Sequence, residues 1–309
     1  WLNGGMDIAL IGEPAQLTYE YEYLGAGAQT LGDLANGSHG FAERLKVAER
    51  PAILVGMGAL ARADGAAILQ LVGKLAQSVG AVRPAEGDDP AWNGLNILHT
   101  AAARVGALDV GFVPDDEGMD TTAILEACEA GEIDFVYALG TDELDTTKLK
   151  KPFVVYQGSH GDRGASVADV ILPAAAYTEQ DGLYVNLEGR VQTAHRAHFP
   201  PGDAKEDWAI IRALSGVMGA PLPFNSLADL RRILFEAVPH LAILDAVPEE
   251  SAFDPATLGT AGPTGDAPFA SLIDDFYLTS PIARASETMA ECSRLARERL
   301  ERKGTGTDG

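Results

Sequence analysis

The sequence predicts an α/β fold: a mainly parallel sheet flanked by helices, with a small β-containing extension. Three observations lead there. Residues 133–139 (IDFVYAL), 152–156 (PFVVY) and 168–173 (ADVILP) are apolar runs that do not alternate, the texture of strands buried on both faces, and loops or short helices separate them. Residues 50–56 (RPAILVG) form another strand, which a glycine-containing link joins to a helical stripe to make a βα unit. After Pro173 the chain breaks into short apolar pieces around Gly182, Asn186 and Gly189, which predicts a compact loop and the β extension.

From the start, residues 6–11 (MDIALI) read as a strand closed by the turn Gly12-Glu13-Pro14. Tyr19, Tyr21 and Tyr23 alternate in a manner that suits one strand face. Glycines then follow Leu24, so residues 17–40 are expected to be an irregular crossing. In residues 64–79, Ile68, Leu71, Val72 and Leu75 recur at helical spacing and form one buried stripe. A helix is expected at 98–106, a strand at 108–113 and a short helix at 121–128. Residues 141–149 have the character of the exposed top of an α/β sheet. Residues 207–217 (DWAIIRALSGV) return to helical spacing, with Trp208, Ile211 and Leu214 on one side. Another helix follows at 227–237, where Ser226 and Asp229 have the spacing of a capping box in its Asp form. Residues 248–268, rich in Pro, Gly, Thr and acids, read as a surface loop or extended strap. Residues 282–300 form a mixed-charge helix whose basic residues come late, in keeping with the helix dipole, and 304–309 should fray.

A chain of 309 residues that is 46% hydrophobic can fill a substantial core, in more than one lobe. Its 23 Lys and Arg against 45 Asp and Glu leave a formal net charge of -22. That excess repels phosphate backbones and anionic lipid, which argues against nucleic-acid binding and direct membrane binding. Cys128 and Cys292 are the only cysteines, too few for a disulfide framework or a four-thiolate iron-sulfur cluster. Each is expected to sit reduced against a helix face. The longest apolar stretches, such as 51–60 and 170–177, fall short of the roughly 20 residues that cross a bilayer. The opening Trp1-Leu2-Asn3, with no initiator Met or secretory apolar region, reads as the interior of a longer chain.

Four places carry groups that could do chemistry. Gly56-Met57-Gly58-Ala59-Leu60-Ala61-Arg62 follows a strand, where a glycine-rich turn can cradle phosphate, but Ala61 stands where a dinucleotide fingerprint has its last glycine. A tight turn in close packing uses the same residues. Ser159-His160-Gly161-Asp162-Arg163-Gly164 places a base, an acid and a cation on one loop beyond a strand, the position of many α/β active sites. Local pairing of Asp162 and Arg163 to order the loop is the simpler reading. Residues 179–182 (EQDG) and 186–192 (NLEGRVQ) could line a ligand pocket, or form a hairpin in which Arg190 pairs with Glu188 or a neighbouring acid. His195 and His198 are three residues apart and could share a helix face. Pro200-Pro201 weakens that reading, and zinc would need two further ligands.

Residues 158–165 (GSHGDRGA), 168–179 (ADVILPAAAYTE) and 181–192 (DGLYVNLEGRVQ) together resemble the large iron-sulfur subunit of complex I, the respiratory NADH-quinone oxidoreductase. Residues 50–65 (RPAILVGMGALARADG), 276–286 (FYLTSPIARAS) and 289–292 (MAEC) agree with it. The middle pattern is shared with molybdopterin oxidoreductases generally, and the carboxy-terminal piece narrows it to complex I. The resemblance implies a molybdopterin-oxidoreductase-like fold. It divides the chain into 1–49, the end of an upstream lobe or a crossing segment; 50–173, a Rossmann-like lobe; 174–247, the β-containing extension with returning helices; and 248–309, the strap and last helix. It further implies a non-catalytic structural part of the subunit, with no catalytic, cofactor-binding or metal-ligating residue of its own. The 4Fe-4S and 2Fe-2S clusters of the complete subunit are expected in an upstream region. The implied partners are that region and other subunits of the peripheral arm. The implied place is the cytoplasmic side of a bacterial inner membrane or the matrix side of the mitochondrial one. Two other functions stand beside it: the cofactor-binding lobe of a working molybdopterin oxidoreductase, and a small-ligand-binding α/β domain. An open cavity near Gly56 or His160 would favour the latter, and filled crevices would disfavour it.

Overall fold

The computed structural model describes residues 5–87, 89–115, 117–248 and 253–304, with side chains to residue 299. The expected fraying of the last residues therefore falls mostly outside the described residues. The chain divides into two units, Trp1–Ala102 with Pro248–Asp274, and Ala103–Val247 with Asp275–Gly309.

In the first unit, β1 (Ala9–Ile11) pairs in parallel with β2 (Glu22–Gly25). Residues 17–40 are not an irregular crossing, because β2 is followed by helix α1 (Ala28–Ala35) and then by α2 (Phe41–Val47). Ala28, Leu31 and Leu34 are buried on one face of α1, and that packing outweighs the helix-weakening Gly32. The expected βα unit is present as β3 (Ile53–Gly56), the short α3 (Met57–Leu60) and α4 (Gly65–Ser78). Ile68, Val72 and Leu75 lie inside the core with Leu31, Leu34 and Phe41. A small antiparallel pair, β4 (Val82–Arg83) with β5 (Trp92–Asn93), leads to β6 (Leu95–Leu98), which lies parallel to β3. The strap returns across this unit: Thr260 N–H donates to Ala66 O at 3.1 Å on α4, and Pro255 is buried.

The second unit opens with α5 (Arg104–Asp109) and α6 (Thr121–Ala130). The helix expected at 98–106 thus starts later, after β6. The strand expected at 108–113 is absent, since Val110 N–H still bonds back to Gly106 O and Gly111, at φ +70°, turns the chain. That apolar run stays exposed at Phe112 and Val113. Helix α6 starts where the Asp120 carboxylate accepts the Ala123 N–H at 2.8 Å and stops at Gly131, φ +85°.

The three predicted apolar runs become β7 (Phe135–Leu139), β8 (Phe153–Gly158) and, after the one-turn helix α7 (Arg163–Ser166), β9 (Val170–Pro173). They form one parallel sheet in the order β7-β8-β9. Cys128, Leu149 and Val154 are its buried cluster, with Leu125, Val136 and Val167 against them. The extension is the antiparallel hairpin β10 (Gly182–Val185) and β11 (Val191–Ala194). Helices α8 (Asp207–Val217) and α9 (Leu227–Ala237) follow, and Leu234 and Phe235 pack against Val185 and Val191. The expected final helix is two, α10 (Pro281–Arg284) and α11 (Glu287–Gly304), because the Ser280 hydroxyl caps the first and Ser286 Oγ accepts the Met289 N–H at the start of the second. The architecture is α/β with parallel and antiparallel ladders, its largest sheet wholly parallel.

Candidate functional site

In parallel α/β folds, ligands bind beyond the carboxyl ends of the strands. Each unit has such a place, and in each the chain's own atoms occupy it.

In the first unit the glycine turn after β3 receives the strap. A Cβ on Gly58 would lie 1.8 Å from the Ala270 carbonyl oxygen, so only glycine admits that backbone. The turns after β1 and β2 are shaped the same way. A Cβ on Gly12 would lie 2.9 Å from Phe269 O, and one on Gly27 3.0 Å from Ala267 O. Hydrogen bonds complete the seat, with Glu13 N–H donating to Phe269 O at 2.9 Å and Phe269 N–H to Ala26 O at 2.8 Å. Arg62 Nη1 donates to Ala267 O and Pro268 O at 2.9 and 3.1 Å, while its Nε and Nη2 grip Asp64 at 2.8 and 3.1 Å. Asp64 in turn accepts the Gly265 N–H at 2.8 Å. The Arg62 guanidinium first, and then that amide, hold the Asp64 carboxyl at about 2, well below its usual range.

In the second unit the crevice at the ends of β7 and β8 is filled by Tyr156. Its hydroxyl donates to Asp142 Oδ2 at 2.9 Å, and Asp142 Oδ1 accepts the Gly164 N–H at 3.1 Å. Asp142 is only 1% exposed. The tyrosine ring lies so close that a Cβ on Gly164 would meet it at 2.6 Å. Burial, and next the Asp142 carboxylate, push the phenol's pKa well above its usual value. Asp162 pairs with Arg284 Nε at 2.6 Å rather than ordering its loop through Arg163. Burial lowers the Arg284 pKa, but Asp162 and Glu143 outweigh it and leave the guanidinium's pKa raised. Ser159 Oγ lies 2.9 Å from His160 Nδ1 on the exposed loop, and among the described residues no hydrogen bond from a third side chain orients that imidazole as a catalytic base needs.

Several of the polar residues from 179 to 192 pair with the protein's own groups, while Glu188 and Gln192 stay exposed. Glu179 accepts the Ala176 N–H at 2.9 Å, and Gln180 donates to Asp207 at 3.1 Å. Asp207 also takes the amide of Gln157 at 2.7 Å, and Gln157, fully buried, accepts from Tyr137. Arg190 pairs with Glu188 at 3.4 Å and caps Asp245 O at 2.8 Å, the hairpin role expected of it. His195 and His198 share no helix, since both follow β11 in irregular chain ahead of the two prolines. His195 faces Asp181 at 3.5 Å, and His198 contacts its neighbour's carbonyl, Phe199 O, at 2.7 Å. Among the described residues, no group of three or more His, Cys, Asp or Glu side chains could hold a metal ion. Both cysteines are free thiols, Cys128 buried on α6 and Cys292 partly buried on α11.

Sequence reasoning missed Asp142, Gln157, Asp207 and Arg284. Two of them carry a signal of their own, since Gln157 interrupts an apolar strand and Asp142 directly follows a strand's closing Gly-Thr.

Comparison with known proteins places these contacts in a family. A family model for molybdopterin oxidoreductases matches residues 1–217, and one for the C-terminal region of the G-type chain of NADH-ubiquinone oxidoreductase matches residues 245–292. The NADH-ubiquinone oxidoreductase 75 kDa subunit of Reclinomonas americana is 39% identical over 96% of this chain and 41% of its own length. The 78 kDa subunit of Candida albicans is 40% identical over 98% of the chain and 41% of its own. The iron-sulfur protein 1 of NADH dehydrogenase from Solanum tuberosum is 39% identical over 94% and 37%. The chain therefore spans about two fifths of the length of these relatives. A parallel-sheet protein with strand-end crevices and this match over its first 217 residues belongs to the molybdopterin oxidoreductase family, and it closely matches that family's NADH-ubiquinone oxidoreductase 75/78 kDa subunits.

Proposed function

We propose that the chain is a non-catalytic structural part of the large iron-sulfur subunit of an NADH-quinone oxidoreductase. In this reading it supports the peripheral arm, through whose iron-sulfur clusters electrons pass from NADH to quinone. One observation carries the reading: both strand-end crevices of a cofactor-binding family are packed with the chain's own atoms. A domain without a redox centre transfers no electron and contributes by holding its neighbours. The clusters, 4Fe-4S and 2Fe-2S, belong in this proposal to an upstream region of the complete subunit. That region and other peripheral-arm subunits are the partners. No helix among the described residues is long and apolar enough to cross a membrane. The proposed place is peripheral, on the cytoplasmic face of a bacterial inner membrane or the matrix face of the mitochondrial one.

A working cofactor lobe is the second reading, favoured by the family match alone. A pterin-molybdenum cofactor needs open donors and acceptors and a backbone it can approach. Here Gly58 faces the Ala270 carbonyl, Gln180 is held by Asp207, and Arg190 by Glu188 and Asp245. These residues do not fit the group.

Metal analysis of the anaerobically purified chain by inductively coupled plasma mass spectrometry separates the two. Iron and molybdenum both well below one atom per chain are expected. Near-stoichiometric molybdenum would overturn the structural reading, and near-stoichiometric iron would overturn the argument from two cysteines.

A further inference from the structure

The strap is held as a peptide ligand is held. Its backbone makes most of the bonds: Gly265 N–H to Asp64, the carbonyls of Ala267 and Pro268 to Arg62, and both the N–H and carbonyl of Phe269 to the turns after β2 and β1. Phe269 alone is anchored. Its ring packs against the core and lies 5.5 Å under the Arg62 guanidinium, while Ala267, Pro268 and Ala270 stay exposed. Main-chain pairing with a single aromatic anchor is how proteins recognise extended peptides. The three glycine turns are the other half of the device, because each leaves out the side chain that would block a carbonyl of this segment.

We propose that the carboxyl ends of β1, β2 and β3 form an extended-peptide binding site, whose ligand in the folded chain is its own residues 265–270, reversibly seated. The ligand class is a peptide with small residues around a Pro-Phe pair. A phosphate is a poor match, since the Asp64 carboxylate sits against the Arg62 guanidinium and faces the same space. The site stands whether or not the chain works within a respiratory assembly.

The test is a fluorescence-anisotropy titration of a labelled peptide, PTGDAPFASL (residues 263–272), against the whole chain and its Phe269→Ala variant. Unseating the internal ligand should let Phe269→Ala bind the peptide roughly tenfold more tightly than the unaltered chain, and adding Arg62→Ala should abolish that gain. Equal binding by both chains, or a gain that survives loss of Arg62, overturns the proposal. Should Phe269→Ala fail to fold, hydrogen exchange on the unaltered chain decides. The Phe269 amide is expected to exchange by local opening, roughly tenfold or more faster than the amides of β8. Exchange of that amide only through global unfolding would make the strap a fixed part of the core.

Discussion

The two oxygens of Asp142 are divided between the Tyr156 hydroxyl and the Gly164 amide, and the side chain is buried, so the carboxylate is turned to the protein's own donors. Tyr156→Phe would keep the ring that fills the crevice but leave one buried carboxylate oxygen without its donor. That should cost about 1–3 kcal/mol, read as a lower urea midpoint with unchanged slope. Asp64 supports a different prediction. Its folded pKa, about 2, lies below the ordinary 3.8, so its contribution to stability is present above the ordinary value and is lost as pH falls through the folded one. Urea midpoints measured from neutral pH downward should therefore fall in the interval from 3.8 to about 2, and by less in Asp64→Asn. Equal falls in both proteins would mean that other carboxylates carry the acid sensitivity. In the sequence Asp64 reads only as the opening of a helix: Arg62 stands two residues away, but the strap amide that completes its setting, Gly265 N–H, is 201 residues distant.

Helix α9 shows what is legible at the scale of one element. The spacing of Ser226 and Asp229 predicts a cap, and the structure has Asp229 N–H donating to Ser226 Oγ at 3.1 Å while that hydroxyl donates to Asp229 Oδ2 at 2.9 Å. Ser226→Ala should cost about 0.5–2 kcal/mol in thermal or urea unfolding, and Ser226→Gly only a few tenths. A neutral Ser226→Ala would mean that tertiary packing alone holds the helix end. Capping is local chemistry within four residues, so the sequence displays it. Helix α1 is the opposite case: it has no side-chain cap, and its Thr30 and Gly32 favour a loop. Ala28, Leu31 and Leu34 become helical because α4 offers them a buried surface, and a surface supplied by residues 65–78 is invisible to a reading of residues 28–35. The division of the last helix was missed because Ser280 and Ser286 both look like ordinary polar positions until each is seen to cap a turn.

At the scale of the whole molecule, the net charge of -22 bears on how the chain meets its proposed partners. Association with a cluster-bearing neighbour should slow as salt rises, roughly tenfold between low and high ionic strength by stopped-flow mixing, if basic patches on the partner steer the encounter. A salt-independent rate would remove electrostatics from the docking. The sequence by itself determined the α/β class, the three parallel strands β7 to β9, the hairpin β10–β11 and the capped helix α9. Each follows from hydrophobic period, turn residues or capping chemistry within a few neighbouring positions. The order of those strands, the paths of the strap over Gly58 and of Arg284 to Asp162, and the filling of both crevices were decided only in the tertiary structure. These are contacts between residues far apart in the chain. Shape and the pairing of buried polar groups choose among the partners that composition leaves equivalent. For that reason a glycine turn that reads equally well as a phosphate cradle or a close-packed bend proved to be a seat for the protein's own backbone.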